Sequence, residues 1–182
     1  MNGSTISLCM IVKNEEVSLA DCLMSAKPFV DEIVIVDTGS TDRTVEVARQ
    51  LGSRVFHFTW CDDFAAARNE SLRLAQGDWI LVMDADECQI PGSGELLRQL
   101  AGAADVVAYI VKLFLPKAGD GGIVRLGWLP RLFRNRVGAY YQGAIHEQIT
   151  PSLVGKGRIL HSEISLDHGA ISSHPMRCTR RR

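Results

Sequence analysis

Asp84-Ala85-Asp86-Glu87, directly after the apolar run 79–83, carries the densest set of groups able to do chemistry. Two carboxylates one residue apart repel each other unless a cation joins them. An Asp-x-Asp pair at the end of a buried strand is therefore a candidate site for a hard divalent ion, with phosphate oxygens and water completing its shell. The ends of three earlier apolar runs also hold polar residues: Asn14 and Glu15, then Asp37, then Trp60 with Asp62. Ligands of an open α/β sheet bind outside the carboxyl ends of its strands, so all four groups converge on one edge. Asp and Asn also cap helices and make turns. Capping accounts for Asp42, Asp62 and Asp63, each standing where a helix should begin. It accounts less well for Asp84 and Asp86, whose side chains share a direction only if the segment is extended.

The elements that must position these groups follow from apolar patterning. Residues 6–12 form a nearly continuous apolar run, the pattern of a strand buried on both faces. Val17, Ala20, Leu23 and Met24, spaced by three and four, predict a helix ended by Pro28. Residues 33–36 predict a second strand closed by Asp37-Thr38-Gly39-Ser40, and Val45, Ala48 and Leu51 a helix stopping at Gly52. A third strand at 55–58, a helix from Asp62-Asp63 through Ala75, and a fourth strand at 79–83 complete the rhythm. Four such repeats predict an α/β fold, with a Rossmann-like, mostly parallel sheet covered by helices on both faces. Beyond about residue 91 a short helix at 95–100 and a strand at 106–115 are expected. Short antiparallel-type strands and loops should follow to residue 166. The stretch 171–182 has no apolar period and ends in a basic cluster, which predicts a disordered tail.

Composition narrows the function. A chain of 182 residues, 46% hydrophobic and 23% charged, reads as one folded globular domain; disordered, collagen-like and coiled-coil classes need biases it lacks. Twenty basic against twenty-one acidic residues, a formal charge of -1, argue against nucleic acid as a partner. The five cysteines form no CxxC pair, so neither a zinc cage nor a disulfide framework is expected. No apolar run reaches the ~18 residues of a spanning helix, and the start lacks the basic region of a secretion signal. A cytoplasmic protein without a transmembrane segment is the expectation. Two familiar uses of the acidic pair fail. A haloacid-dehalogenase-type phosphatase places Asp-x-Asp-x-Thr at its first strand, whereas here the pair follows the fourth and Cys88 fills the last place. A dinucleotide fold needs Gly-x-Gly-x-x-Gly where Lys13-Asn14-Glu15-Glu16 stands.

Several segments taken in order resemble family 2 glycosyltransferases of the GT-A fold. They are Val12-Lys13-Asn14-Glu15-Glu16, Val36-Asp37-Thr38-Gly39-Ser40-Thr41-Asp42, Asp62-Asp63-Phe64-Ala65-Ala66-Ala67-Arg68-Asn69 and Asp84-Ala85-Asp86-Glu87. Arg131-Leu132-Phe133-Arg134-Asn135 and Gly143-Ala144-Ile145-His146-Glu147 continue the likeness, which covers roughly residues 5–150. The resemblance implies a GT-A domain over 1–170, with a nucleotide-sugar half at about 5–90 and a small, partly antiparallel acceptor half at about 91–170. It implies an inverting transfer from a nucleotide-diphosphate sugar, a UDP-sugar first, to a saccharide, peptide or lipid-linked acceptor. Asn14, Glu15, Asp37, Arg68 and Asp84 would bind the nucleotide sugar. Asp86, supported by Asp84, would hold manganese or magnesium, and Glu147 or His146 would be the catalytic base. The alternative use is a nucleotide-sugar-binding domain without turnover.

Each role has a plainer competitor. Arg68 could form a surface ion pair on its helix, Glu147 a loop ion pair to Arg131 or Arg134, and Trp60 and Trp128 could pack rather than stack a sugar. Two positions depart from the family's pattern. Thr38 stands where a second acid is common, and His168-Gly169 where many relatives carry His-Tyr-Gly.

Overall fold

The computed structural model describes residues 3–115 and 125–168. Four strands, β1 (Ile6–Val12), β2 (Glu32–Asp37), β3 (Arg54–His57) and β4 (Trp79–Val82), alternate with α1 (Leu19–Ala26), α2 (Thr44–Gln50) and α3 (Phe64–Leu74). Then come β5 (Glu87–Gln89), α4 (Ser93–Leu100), β6 (Val106–Leu115), β7 (Arg125–Arg134), α5 (Thr150–Leu153) and β8 (Arg158–His168). They build one eight-stranded sheet in the order β3-β2-β1-β4-β7-β6-β8-β5. Its β3-β2-β1-β4 part is parallel throughout.

Burial on both faces explains why these strands read as unbroken apolar runs. Ile6, Leu8, Met10 and Val12 of β1 pack with Leu19, Cys22, Leu23 and Ala26 of α1, Ala48 of α2 and Leu97 of α4. Cys9, Val34, Ile80 and Val82 face the other way, onto Ala65 and Leu72 of α3 and Leu153 of α5. Helices therefore cover both faces, as patterning predicts.

Two local expectations are corrected. The buried stripe of α1 is Leu19, Cys22, Leu23 and Ala26, whereas Val17 and Met24 are 78% and 53% exposed. The Glu15 carbonyl accepts from the Ser18 and Leu19 amides, so a turn holds residues 15–18 and Val17 precedes the helix. From Leu19 onward, spacings of three and four place Cys22 and Ala26 on the sheet. The expected strand at 106–115 is found as β6, and the second correction is that the described residues after it form long strands rather than short ones. The hairpin strands β6 and β7 have ten residues each, and the eleven residues of β8 lie parallel to β6. The connection through α5 returns the chain to the starting end, which is what parallel pairing requires. The expected tail at 171–182 lies outside the described residues.

One irregularity matters later. Tyr109 faces Leu132 and Ile110 faces Pro130, so Arg131 is the extra residue of a β-bulge in β7. The start of β4 shows a tight approach. The Gly77 amide donates to Ser7 Oγ at 2.8 Å, and a Cβ at Gly77 would stand 2.7 Å from that oxygen and 2.8 Å from the Ser7 nitrogen. Backbone on a central strand cannot yield cheaply. Gly77→Ala should cost about 1–3 kcal/mol, read as a lower urea midpoint at unchanged slope. An unchanged midpoint would show that the turn relaxes freely.

Candidate functional site

A cavity of about 450 Å³ opens at the carboxyl ends of the parallel strands. Glu15, Arg68, Asp84, Asp86, His146 and Glu147, all singled out from the sequence, line it. Arg68 reaches it from the first turns of α3, whose start Asp63 caps by accepting from the Ala66 amide at 2.9 Å. Asp62 is not the cap. Its backbone is left-handed, with φ of 58°, and its carboxylate accepts from Trp60 Nε1 at 2.8 Å.

At the centre is a line of alternating charges. Arg68 Nε donates to Glu147 Oε1 at 2.6 Å, and Arg68 Nη2 to Asp84 Oδ1 at 2.8 Å. Arg131 Nη2 donates to Asp84 Oδ2 at 2.8 Å and to Glu87 Oε1 at 2.7 Å. Both guanidiniums are nearly enclosed, at 11% and 8% exposure. The ring of Tyr141 lies beneath Arg68, its centroid 5.6 Å from the guanidinium carbon. Burial alone would raise the Asp84 carboxyl, but attraction to Arg131 and Arg68 outweighs it and holds the group well below the usual carboxylate range. Burial dominates at Glu87 and pushes its carboxyl up against the pull of Arg131. Arg68 is thus no surface ion pair, and the partner of Glu147 is Arg68 rather than Arg131 or Arg134.

Asp84 and Asp86 do not stand side by side as the extended segment would place them. The chain turns at Ala85-Asp86 instead of staying extended, so the two carboxylates have different partners. Asp86 Oδ2 stands 3.5 Å from His168 Nε2, at the end of β8, and its side chain is 44% exposed. A carboxylate oxygen and an imidazole nitrogen at the open end suit a cation such as manganese that keeps water and phosphate ligands. No cluster of three or more metal-ligating side chains exists among the described residues.

Asn14 and Asp37 do not line the cavity. Asn14 Oδ1 accepts from the Thr41 amide at 2.8 Å and its own amide donates to Ser40 Oγ, which ties the loop after β1 to the loop after β2. Asp37, 2% exposed, accepts from the Gly39 and Ser40 amides and meets His57 Nδ1 at 3.2 Å. Its neighbour Thr38 lines the cavity instead. His146 takes a left-handed backbone, φ 57°, inside a loop closed by reciprocal Gln142–Gln148 hydrogen bonds of 3.0 Å. The Phe64 amide anchors that loop by donating to the Ala144 carbonyl at 3.0 Å. The sequence places Glu87 in the acidic cluster after the fourth strand without a role of its own, and it gives no site role to Arg131 or Tyr141. An arginine inside the apolar stretch 128–133 was the available signal, since a charge in a buried strand needs a partner.

Comparisons with known proteins bear on the fold and the family. A TPR repeat-containing protein of Synechococcus elongatus is 43% identical over 149 residues, 82% of this chain and 36% of that one. An uncharacterized glycosyltransferase of Rickettsia felis is 42% identical over 125 residues, 63% of this chain and 41% of that one. The chain thus spans about two-fifths of the length of these curated relatives. Among solved structures, glucosyl-3-phosphoglycerate synthase from Mycobacterium tuberculosis with Mn2+ and UDP-glucose matches at a TM-score of 0.68 and 20% identity, covering 96% of this chain and 73% of that one. Its complex with Mn2+, UDP and glucosyl-3-phosphoglycerate matches at 0.50 and 28% identity, covering 62% and 44%. The fold is of the GT-A type. The family profile described as Glycosyl transferase family 2 matches residues 7–165, and the chain belongs to that family of glycosyltransferases.

Proposed function

We propose that this domain transfers a sugar, with inversion, from a nucleoside-diphosphate donor to a hydroxyl or amide acceptor, and that a divalent cation assists. The observation that carries the reading is one cavity lined by a buried arginine, Arg68, by Asp86 with the His168 imidazole 3.5 Å from it, and by the Glu147 carboxylate. A UDP-sugar is the first donor to test, because a structural neighbour at 28% identity was solved with Mn2+ and UDP.

Asp86 and His168 would hold the cation, which when bound neutralises charge gathering on the leaving diphosphate. Arg68, itself nearly enclosed and held by Asp84, supplies fixed positive charge that costs no reorganisation during reaction. Asp84, held between two guanidiniums, keeps Arg68 oriented rather than binding metal. Glu15 and Thr38 form the nucleoside side of the cavity, with Asn14 and Asp37 bracing the loops behind them. Glu147 presents Oε2, which has no partner among the described residues, to the acceptor proton. No helix among the described residues is long and apolar enough to cross a membrane.

Calorimetric titration with UDP, GDP, CDP and ADP, each with and without manganese, tests the reading. One diphosphate should bind at micromolar levels with metal and much more weakly without it. The matching nucleotide sugar should then release that diphosphate slowly. If no nucleoside diphosphate binds with either manganese or magnesium, the transferase reading fails for this chain.

A further inference from the structure

We propose that Arg131 is a positioning residue of the transfer site: through one nitrogen it clamps Asp84 and Glu87, and through Asp84 it sets Arg68 and the base Glu147. The inference rests on the transferase reading above and deepens it. Arg131 belongs to β7, in the acceptor half, whereas Asp84, Glu87 and Arg68 come from the donor half. It is the bulged residue of its strand, opposite no residue of β6. Bulges re-aim a side chain, and they concentrate beside functional sites. Here the bulge turns a charged side chain from a ten-residue strand into the core, leaving Arg131 7% exposed.

The contacts form a relay without a gap. From Glu147 to Arg68, Asp84, Arg131 and Glu87 the successive distances are 2.6, 2.8, 2.8 and 2.7 Å. Arg68 takes one oxygen of Asp84 and Arg131 takes the other, so the carboxylate cannot rotate without breaking a charged hydrogen bond. Glu87 Oε2 also accepts from the Asp84 amide at 2.9 Å, which fixes the backbone of the same residue. With Asp84 fixed, Arg68 has one favoured orientation, and its Nε meets Glu147 Oε1 there. Simple neutralisation of two buried acids would not demand this directionality.

The chemistry of the contact supplies the test. Both hydrogen bonds use Nη2, and Arg131 Nε is buried without a hydrogen-bond partner among the described residues. One ammonium nitrogen can therefore replace the guanidinium, and Arg131→Lys should keep kcat near the parent's. Arg131→Met alone would leave two enclosed acids facing each other and could unfold the chain. The double variant Arg131→Met/Glu87→Gln deletes one charge of each sign and avoids this.

The double variant should melt near the parent and bind the nucleoside diphosphate with manganese as tightly. Its kcat for release of diphosphate from the nucleotide sugar should fall roughly tenfold to hundredfold, because the base is no longer held in line. The role is overturned if the double variant turns over like the parent, if Arg131→Lys loses as much as the double variant, or if affinity and melting temperature fall together with kcat. A parent that neither binds a nucleoside diphosphate nor releases it overturns the transferase reading, and the assignment with it.

Discussion

Asp86→Ala is expected to abolish metal-dependent stabilisation by a nucleoside diphosphate while leaving the ligand-free protein at its parental melting temperature. The asymmetry between the two acids carries this expectation. Both oxygens of Asp84 accept from enclosed guanidiniums, whereas Asp86 is half-exposed and among the described residues meets the His168 imidazole. A ligand at a hundredfold excess over its Kd stabilises by about 2.7 kcal/mol, or roughly 5–10 °C for a chain of this length. That whole shift should vanish in Asp86→Ala, and His168→Ala should lose most of it. Asp84→Ala should behave oppositely. It strips the counter-charge from two enclosed arginines, a loss of about 3–5 kcal/mol, and so should lower the melting point before any ligand is added. Thermal shift measurements with UDP, with and without manganese, read all three variants. A manganese-dependent shift that survives in Asp86→Ala would remove the cation from this end of the cavity.

The contrast between those acids also shows how far the sequence could be read. Strands buried on both faces announce themselves, so β1, β2 and β4 and their places along the chain follow directly from apolar runs. Placing ligands at strand ends then found Glu15, Asp84 and Asp86 without any knowledge of tertiary contacts. The same rule brought in Asp37, but strand-end position says nothing of where a side chain turns. Its carboxylate folds back onto the Gly39 and Ser40 amides, a local bond that Asp makes readily in turns. The partners of the acids were out of reach for another reason. Arg131 lies 47 residues from Asp84 in sequence, and the contact depends on a bulge that apolar periodicity cannot reveal. His168 meets Asp86 only because β8 runs parallel to β6 and pairs with β5 at its end. Strand direction in the second half is decided by the path through α5, which carries little patterning of its own. The nearer half of the site was therefore legible, and the charges that orient it were not.

Glu147→Gln should reduce turnover by roughly 10²–10⁴ while donor and cation affinity stay close to the parent's. The substitution preserves shape, and the amide oxygen can still accept from Arg68 Nε in place of Oε1. The loop should survive too, because the Gln142–Gln148 bonds and the Phe64 amide anchor do not involve the Glu147 side chain. What disappears is the negative charge able to take a proton from the acceptor. The contact with Arg68 fixes the direction of the carboxylate, and direction governs proton transfer at hydrogen-bond range. His146 is the rival on the same loop. Its left-handed backbone is set by the loop's own closure, so His146→Ala should cost little stability and should test the imidazole cleanly. Release of diphosphate from the nucleotide sugar, measured with and without acceptor, separates the two. If Glu147→Gln turns over like the parent and His146→Ala does not, the imidazole is the base and the Arg68–Glu147 pair is structural. If both variants keep full turnover, the acceptor proton leaves by another route and Glu147 serves only to hold Arg68.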